Sequence, residues 1–255
     1  MRIIPCLSLC LLVTPWAKAV LVDIPAAKDT TLYESQTGSL ANGGGSYFFA
    51  GRTVQQTGSI RRGLIEFDLT SFIPAGAVVN SAELVLNADK GGNGSTVVTL
   101  HRLTREWTEG GTVAPGSEGG GGANILGSDA TWLHATSNSV LWTGAGAAGD
   151  YELTPSGSQT IGNTGSAYNW SGLASEVQSW LADAGSNHGW LLLGDEVSPS
   201  SAVRFASRNN GSAELQPVLR VDFTAVPEPS VLMLATALLG AGLRHRKRAG
   251  HSWQI

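Results

Sequence analysis

The sequence predicts an all-β protein, a jelly-roll-like β-sandwich with one short amphipathic helix. Three observations favour this class: apolar residues alternate along several short segments, turn residues separate those segments, and Val, Leu and Thr are frequent within them. The chain of 255 residues contains 33 glycines, which suits a fold with many turns. We therefore expect about eight to eleven short strands arranged in two packed sheets.

The predicted strands are residues 62–69, 82–88, 96–103, 189–194, 202–207 and 217–223. In the first of them, Ile65 and Phe67 share a face directed to the core, and Glu66 and Asp68 share the opposite face, as in a half-buried strand. The glycine-rich stretch 91–94 is a strong turn signal, so 96–103 is predicted to be the return strand of 82–88.

One helix is predicted between the strands. Leu173, Val177, Trp180 and Leu181 have the spacing of a single apolar stripe, which we expect to pack over the mouth or edge of a sheet. Ser171 is the predicted N-cap, and Gly185 is predicted to end the helix. The glycine-rich stretch 109–122 has no apolar period and lacks the Lys-Ser or Lys-Thr of a phosphate-binding loop, so a plain flexible loop is expected there.

The beginning of the chain resembles a secretory signal peptide. Arg2 precedes an apolar stretch at 3–13, and Ala17 and Ala19 fit the small residues that flank a cleavage site. We expect residues 1–19 to be removed before Val20. Export followed by this cleavage implies a mature protein without cysteine, because both cysteines lie before residue 20.

The end of the chain carries three unlike elements in order. Pro227, Glu228 and Pro229 precede an apolar run at 230–243, and a basic cluster follows with Arg244, Arg246, Lys247 and Arg248. A helix of fourteen residues spans only about 21 Å, against about 30 Å for the hydrocarbon core, which indicates a temporary membrane anchor. The cations are expected to stay in the cytoplasm and the preceding chain outside.

This ending resembles the PEP-CTERM sorting signal of bacterial envelope proteins. The resemblance covers residues 226–255, with the departure that seven residues follow the basic cluster. It implies that a membrane protease of the exosortase type is a partner and cuts near the Pro-Glu-Pro sequence. The predicted organisation is a signal peptide at 1–19, one domain at 20–225 and the sorting signal at 226–255.

The predicted domain is acidic. It holds ten of the sixteen Lys and Arg residues but nineteen of the twenty Asp and Glu residues, a net charge of about −9. This charge argues against nucleic acid and anionic lipid as partners and allows neutral polysaccharide or calcium. The whole-chain value of −4 hides this, because six cations lie at the two ends.

A second resemblance covers nearly all of 20–225. Its pieces, in order, are residues 29–32, 42–51, 62–69, 73–78, 81–84, 102–110, 130–132, 177–181, 187–192, 205–210 and 217–219. The ordered set resembles the DNRLRE domain, related to disaggregatase-associated and carbohydrate-binding modules. It implies an extracellular jelly roll, often in a polysaccharide context. Ala206 and Asn209 depart from the family pattern, which has Asp and Glu there, so any role of those two carboxylates, such as holding a cation or pairing with Arg208, is in doubt.

Tryptophans are the candidate sugar-binding residues, because sugar rings stack on exposed aromatic faces. Trp180 lies on the helix stripe and Trp190 begins an apolar strand, so both are expected in the core. The residues predicted to form a surface platform lie near strand ends or in loops: Trp107, Trp132, Trp142 and Trp170.

Calcium is the candidate cofactor, because β-sandwich loops can supply carboxylate and carbonyl oxygens. The candidate ligands are Asp23, Asp29, Asp68 and Asp129, and the sequence does not choose among them.

Catalytic motifs are not recognisable in the sequence. Glu66 and Asp68 are about 7 Å apart on one strand face, within the range of paired glycosidase carboxylates, but the favoured interpretation is an exposed strand face that carries charge. We therefore expect an exported, non-catalytic β-sandwich of the envelope or exopolysaccharide matrix, with polysaccharide as a candidate ligand. The alternatives are a polysaccharide lyase or hydrolase, and a purely structural matrix subunit.

Overall fold

The structure is a computed structural model that describes residues 18–92, 94–116, 119–162 and 164–226. Predicted features outside these ranges are Ala17, Pro227, Glu228, Pro229, Arg244, Arg246, Lys247 and Arg248. Within them, no helix is long and apolar enough to cross a membrane.

The all-β class is confirmed. The strands are β1 (Ala19–Tyr33), β2 (Leu40–Ala41), β3 (Tyr47–Arg52), β4 (Ile60–Phe67), β5 (Val78–Lys90), β6 (Thr96–Arg102), β7 (Ala123–Asn124), β8 (His134–Thr136), β9 (Val140–Leu141), β10 (Gly157–Ile161), β11 (Ser166–Trp170), β12 (Trp190–Leu193), β13 (Val203–Ala206) and β14 (Val218–Thr224). The single α-helix in the described ranges is α1 (Ala174–Ala182), and short 3-10 turns lie at Ala145–Ala147, Ala184–Ser186 and Ala213–Leu215.

Two antiparallel sheets form the sandwich. In the first sheet, β14 lies between β1 and β5, β11 pairs with the other edge of β5, and β13 connects β5 to β3. In the second sheet, β4 lies between β1 and β12, and β6 lies between β12 and β10. Strand β1 belongs to both sheets: residues 19–25 pair with β14, and residues 26–33 pair with β4 across an irregularity near Ala26.

The predicted return strand forms but pairs differently. Residues 96–102 form β6, yet β6 pairs with β10 and β12, whereas β5 pairs with β11, β13 and β14. The connection therefore crosses from one sheet to the other, and the hairpin prediction is wrong. A glycine-rich turn signal specifies that the chain changes direction, but it does not specify the partner strand.

The first core lies between the sheets. Leu84 and Leu219 from the first sheet pack in one cluster with Ile65 and Leu192 from the second. Aromatic side chains fill its centre, with ring centroids of Phe48 and Phe205 5.6 Å apart and those of Trp180 and Trp190 4.6 Å apart. The predicted alternation of β5 and β14 is confirmed, since Ala82, Leu84, Leu86, Ala88, Leu219, Val221 and Phe223 are all buried.

Helix α1 covers one end of this core, as its stripe predicts. Leu173, Val177 and Trp180 are buried, and the Gln178 side chain accepts a hydrogen bond from the Val79 N–H at 2.8 Å. That bond satisfies a main-chain donor near the start of β5.

The predicted ends of the helix are wrong. Leu173 occupies the N-cap position without a side-chain hydrogen bond, so Ser171 is not the cap. The helix ends at Ala182, and Gly185 lies inside the following 3-10 turn, where its N–H donates to the Asp183 side chain at 3.2 Å.

A second core lies on the outer face of the second sheet. Leu32, Leu64 and Leu191 point away from the first core and pack beneath the segment 103–151. That segment contributes Leu103, Trp107, Ala130, Ala135, Trp142 and Ala147. Strand β4 is therefore covered on both faces by apolar side chains, and the half-buried interpretation is corrected for its centre.

The glycine-rich loop is packed over part of its length. Glu109, Thr112 and Ala114 are buried, and the Ala114 N–H donates to Asn42 Oδ1 at 2.7 Å. Because these polar groups are held by partners inside the protein, the expectation of a plain flexible loop is wrong for 109–114.

Candidate binding surface

Three of the four predicted surface tryptophans are buried. Trp107, Trp142 and Trp170 expose 1%, 5% and 1% of their surface, so they offer no face to a sugar ring. Each indole donates to a main-chain oxygen: Trp107 to His188 at 3.0 Å, Trp142 to Thr131 at 2.9 Å and Trp170 to Val98 at 3.0 Å. Since a bonded indole N–H removes the penalty for burying the ring, these residues serve as anchors of the cores.

Trp132 is the fourth predicted platform residue and is half-buried. The Arg62 guanidinium lies 5.1 Å from the centroid of its ring, and Arg62 in turn donates twice to Glu196, at 2.7 and 2.9 Å. Gly146, with φ of 67°, is so close that a Cβ there would lie 2.7 Å from the ring. Neighbouring groups of the protein therefore already occupy much of the indole surface.

The predicted calcium ligands do not converge. Asp23 accepts two hydrogen bonds from Arg220, at 2.8 and 3.1 Å, on the outside of the first sheet. Asp68 accepts from the main chain and hydroxyl of Thr70 and from Ser71, which lowers the pKa of its carboxyl. Both carboxylates are thus engaged in hydrogen bonds with other groups of the protein.

Asp129 has a structural position beneath the glycine-rich loop. Its carboxylate accepts from the Thr112 N–H at 3.1 Å, the Thr112 hydroxyl at 2.9 Å and the Gly127 N–H at 3.3 Å. Gly110 adopts φ of 74°, and a Cβ there would lie 2.1 Å from Asp129 Oδ1. Across the described ranges, no cluster of three or more His, Cys, Asp or Glu side chains has metal-binding geometry.

Asp29 belongs instead to a buried ionic cluster, which consists of Asp29, Glu109 and Arg208. Glu109 accepts from Arg208 Nε at 2.7 Å and Nη2 at 2.6 Å, and it also accepts the Asp29 N–H at 2.9 Å. The Asp29 carboxylate accepts the Arg208 N–H at 2.6 Å. The cluster ties β1 to the segments after β6 and β13.

Burial has the largest effect on the pKa of Asp29, whereas hydrogen bonding has the largest effect on that of Arg208. Loss of solvation raises the pKa of Asp29 to about 8, and the nearby Glu109 charge adds to the rise. The hydrogen bonds with Glu109 raise the pKa of Arg208, which stays charged. Arg208 thus does find a carboxylate partner, Glu109, although Ala206 and Asn209 lack the acids of the family pattern. Spacing alone could not show this, because 99 residues separate the pair.

An open groove of about 580 Å³ lies over the second core. Its walls are formed by Thr104, Arg105, Glu106, Thr108, Thr136 and Val140, and we call it the outer groove. Arg105 is fixed by Asp150 at 2.8 Å, and the hydroxyls of Thr108 and Thr136 are 3.0 Å apart. The outer groove therefore combines a cation, an anion, hydroxyls and an aliphatic side chain.

The exposed residues that line the outer groove differ in character. Thr104 and Glu106 are polar, whereas Val140 is aliphatic and 38% accessible. Such a surface offers hydrogen bonds beside an apolar contact, which is the chemistry that a neutral polyhydroxylated ligand requires.

Glu66 lies near the outer groove in a desolvated ion pair. Its carboxylate is 2.7 Å from Lys28 Nζ, and Lys28 also donates to the Trp107 carbonyl at 3.1 Å. Burial raises the pKa of Glu66 despite the Lys28 partner, and the Glu106 charge adds to the rise. Burial lowers the pKa of His188, which is near the same Glu106.

The outer groove was not predicted from the sequence. Its residues come from the segment 104–140, which has no regular apolar period, and the only signal was the series Trp107, Trp132 and Trp142 in and just after that segment. No protein-family model matches this chain, and no curated protein is significantly similar to it in sequence. The fold and the geometry therefore define its class only as an all-β sandwich.

Proposed function

We propose that this protein is an exported, non-catalytic β-sandwich that binds neutral polysaccharide through the outer groove. The observation that carries the proposal is the outer groove itself, where exposed hydroxyl and charged groups line the same groove as the exposed aliphatic side chain of Val140. Sugar rings present hydroxyls at their rim and C–H groups on their faces, which complements such a surface.

The charge of the domain supports a neutral ligand. Six of its cations are in ion pairs within the described ranges: Lys28, Arg62, Arg105, Arg204, Arg208 and Arg220. Because these cations are neutralised by their partners and the domain carries about nine negative charges in excess, an anionic polymer meets net repulsion.

The two chain ends support the proposed location. A signal peptide at 1–19 and a sorting signal at 226–255 direct the domain through the inner membrane, and an exosortase-type protease then processes the end near Pro227. The domain acts at the cell surface or in the extracellular matrix. Stabilisation by two apolar cores suits an exported domain that has no disulfide.

Retardation of the purified protein in gels containing neutral glycans tests the binding. We expect retardation by at least one neutral glycan, and a loss of retardation in the double variant Thr104→Ala, Glu106→Ala, whose side chains are exposed. Glu214→Ala is the matched control, because Glu214 is an exposed acid in the turn before β14. No retardation on any glycan, with or without calcium, refutes binding and leaves the structural matrix subunit.

A second candidate function is hydrolysis or lyase cleavage of a matrix glycan. The observation that favours it is a pair of opposite pKa shifts: the pKa of Glu66, in β4, is raised, and the pKa of Asp68, which follows the last residue of β4, is lowered. This candidate predicts new reducing ends or unsaturated uronate absorbance on incubation with matrix glycans, and a loss of that signal in Glu66→Gln. Unchanged glycans would exclude it.

A further inference from the structure

Both ends of the described domain leave the sandwich side by side. Strand β1 begins at Ala19, which lies opposite Thr224 at the end of β14, and Thr224 lies opposite Val78 at the start of β5. The first and last strands are therefore neighbours, and the segments before 18 and after 226 start from the same end of the molecule.

This end of the sandwich exposes aliphatic side chains. Val20, Leu21, Val78 and Val226 are 42%, 65%, 51% and 54% accessible, and we call them the terminal rim. Leu21 and Val78 lie on the outer face of the first sheet on either side of β14, as the register shows. Val20 lies opposite the inward-facing Phe223, so it is exposed at the open end of the sandwich and not on the outer face. Exposed aliphatic residues at one end of an acidic domain indicate a contact surface.

The sequence beyond the terminal rim limits what can cover it. Only residues 225–229 separate Thr224 from the apolar run 230–243, and five residues reach at most about 18 Å. A chain anchored through that run holds the terminal rim at high local concentration against the lipid. A second copy has no such tether.

We propose that the terminal rim is a lipid-contacting surface, on which the domain rests while the chain is anchored through 230–243. The ionisable groups beside the rim fit a zwitterionic headgroup layer: Arg220 is paired with Asp23 and Glu83, and Asp222 is hydrogen-bonded by Asn80 at 3.2 Å. The contact does not depend on glycan binding. It ends when the chain is cut near Pro227.

Site-specific fluorescence quenching in vesicles tests this contact. The chain that remains after the proposed signal cleavage, residues 20–255, contains no cysteine, so one new cysteine at Leu21→Cys can be labelled with an environment-sensitive dye. The protein is reconstituted into phosphatidylcholine vesicles that contain headgroup spin-labelled lipid. Val197→Cys is the matched control, since Val197 is 82% accessible and follows β12 beyond Leu193, at the opposite end of the second sheet.

We expect quenching at position 21 to be several-fold stronger than at position 197, with Val78→Cys behaving like Leu21→Cys as a second rim position. Equal quenching at the rim and at position 197 overturns the proposal. The proposal is also overturned if the dye at the rim becomes shielded from water as the protein density in the vesicles rises, while spin-labelled lipid does not quench it. That result indicates contact between two copies.

Discussion

The two cores of this protein are built in different ways. The first core is made by regular strands whose alternate side chains point between the sheets, so its members follow the period of a strand. The second core is made by a long irregular segment folded over the outer face of the second sheet, and its large residues are fixed by indole N–H bonds to main-chain oxygens. The comparison shows that one sheet can carry an apolar layer on each face. Only the layer between the sheets is built from segments in which apolar residues recur with the period of a strand.

The largest expected effect is in the first core. Trp190→Ala removes an indole that packs against Trp180 and Phe67 and donates to Glu176 at 2.7 Å. We expect a loss of about 3–5 kcal/mol in the free energy of unfolding, measured by chemical denaturation. Trp190→Phe should lose clearly less, and equal losses in the two variants would contradict the packing explanation.

A smaller and more local effect is expected in the second core. Trp107→Ala should cost about 3 kcal/mol, because the irregular covering segment can partly collapse into the space left by the indole. Hydrogen exchange should increase in 104–152 while β5 and β14 stay protected. Uniform loss of protection in both sheets would show that the second core is as essential to the fold as the first.

The buried ionic cluster gives a dependence on pH. The pKa of Asp29 is raised from 3.8 to about 8 in the folded protein, so the folded state binds the proton more strongly than the unfolded state between about pH 4 and 8. The contribution of Asp29 to stability is therefore favourable at acid pH and is lost as the pH rises through this window.

The variant Asp29→Asn retains an oxygen that accepts the Arg208 N–H but removes the titration. We expect its unfolding free energy to fall less between pH 4 and 8 than that of the wild type, in denaturant titrations at several pH values. Asp222→Asn lies outside the buried ionic cluster, so its unfolding free energy should change with pH as that of the wild type does. Parallel plots of unfolding free energy against pH for wild type and Asp29→Asn would contradict the assignment of this pH dependence to Asp29.

The smallest effect is expected at the surface of the first sheet. Arg220→Ala removes the ion pairs of Arg220 with Asp23 and Glu83, and it should cost less than about 1 kcal/mol because the three side chains are 40%, 51% and 29% accessible. Arg62→Ala should cost more in thermal denaturation, because Arg62 lies over Trp132 and its ion pair with Glu196 is largely buried. The opposite order would argue that the second core gains little from its charged residues.

The sequence predicted burial correctly in segments where apolar residues recur with the period of a strand or a helix. The alternation around Leu84 and Leu219 and the helical stripe through Trp180 were sufficient to place these residues in the first core. The pairing of β6 and the burial of Trp107 were not predictable. Which strands pair, and which segment covers the outer face of a sheet, depend on contacts between residues that are distant in the chain. Glu109 and Arg208 show the same limit, since their ion pair joins two loops that no local pattern connects.

The most direct test of the proposed function compares glycan binding by three proteins: wild type, the double variant Thr104→Ala, Glu106→Ala, and Glu214→Ala. We predict that a neutral glycan retards wild type and Glu214→Ala equally in affinity electrophoresis and does not retard the double variant, while all three unfold at the same temperature. Equal retardation of the double variant and the wild type would contradict the assignment of the outer groove.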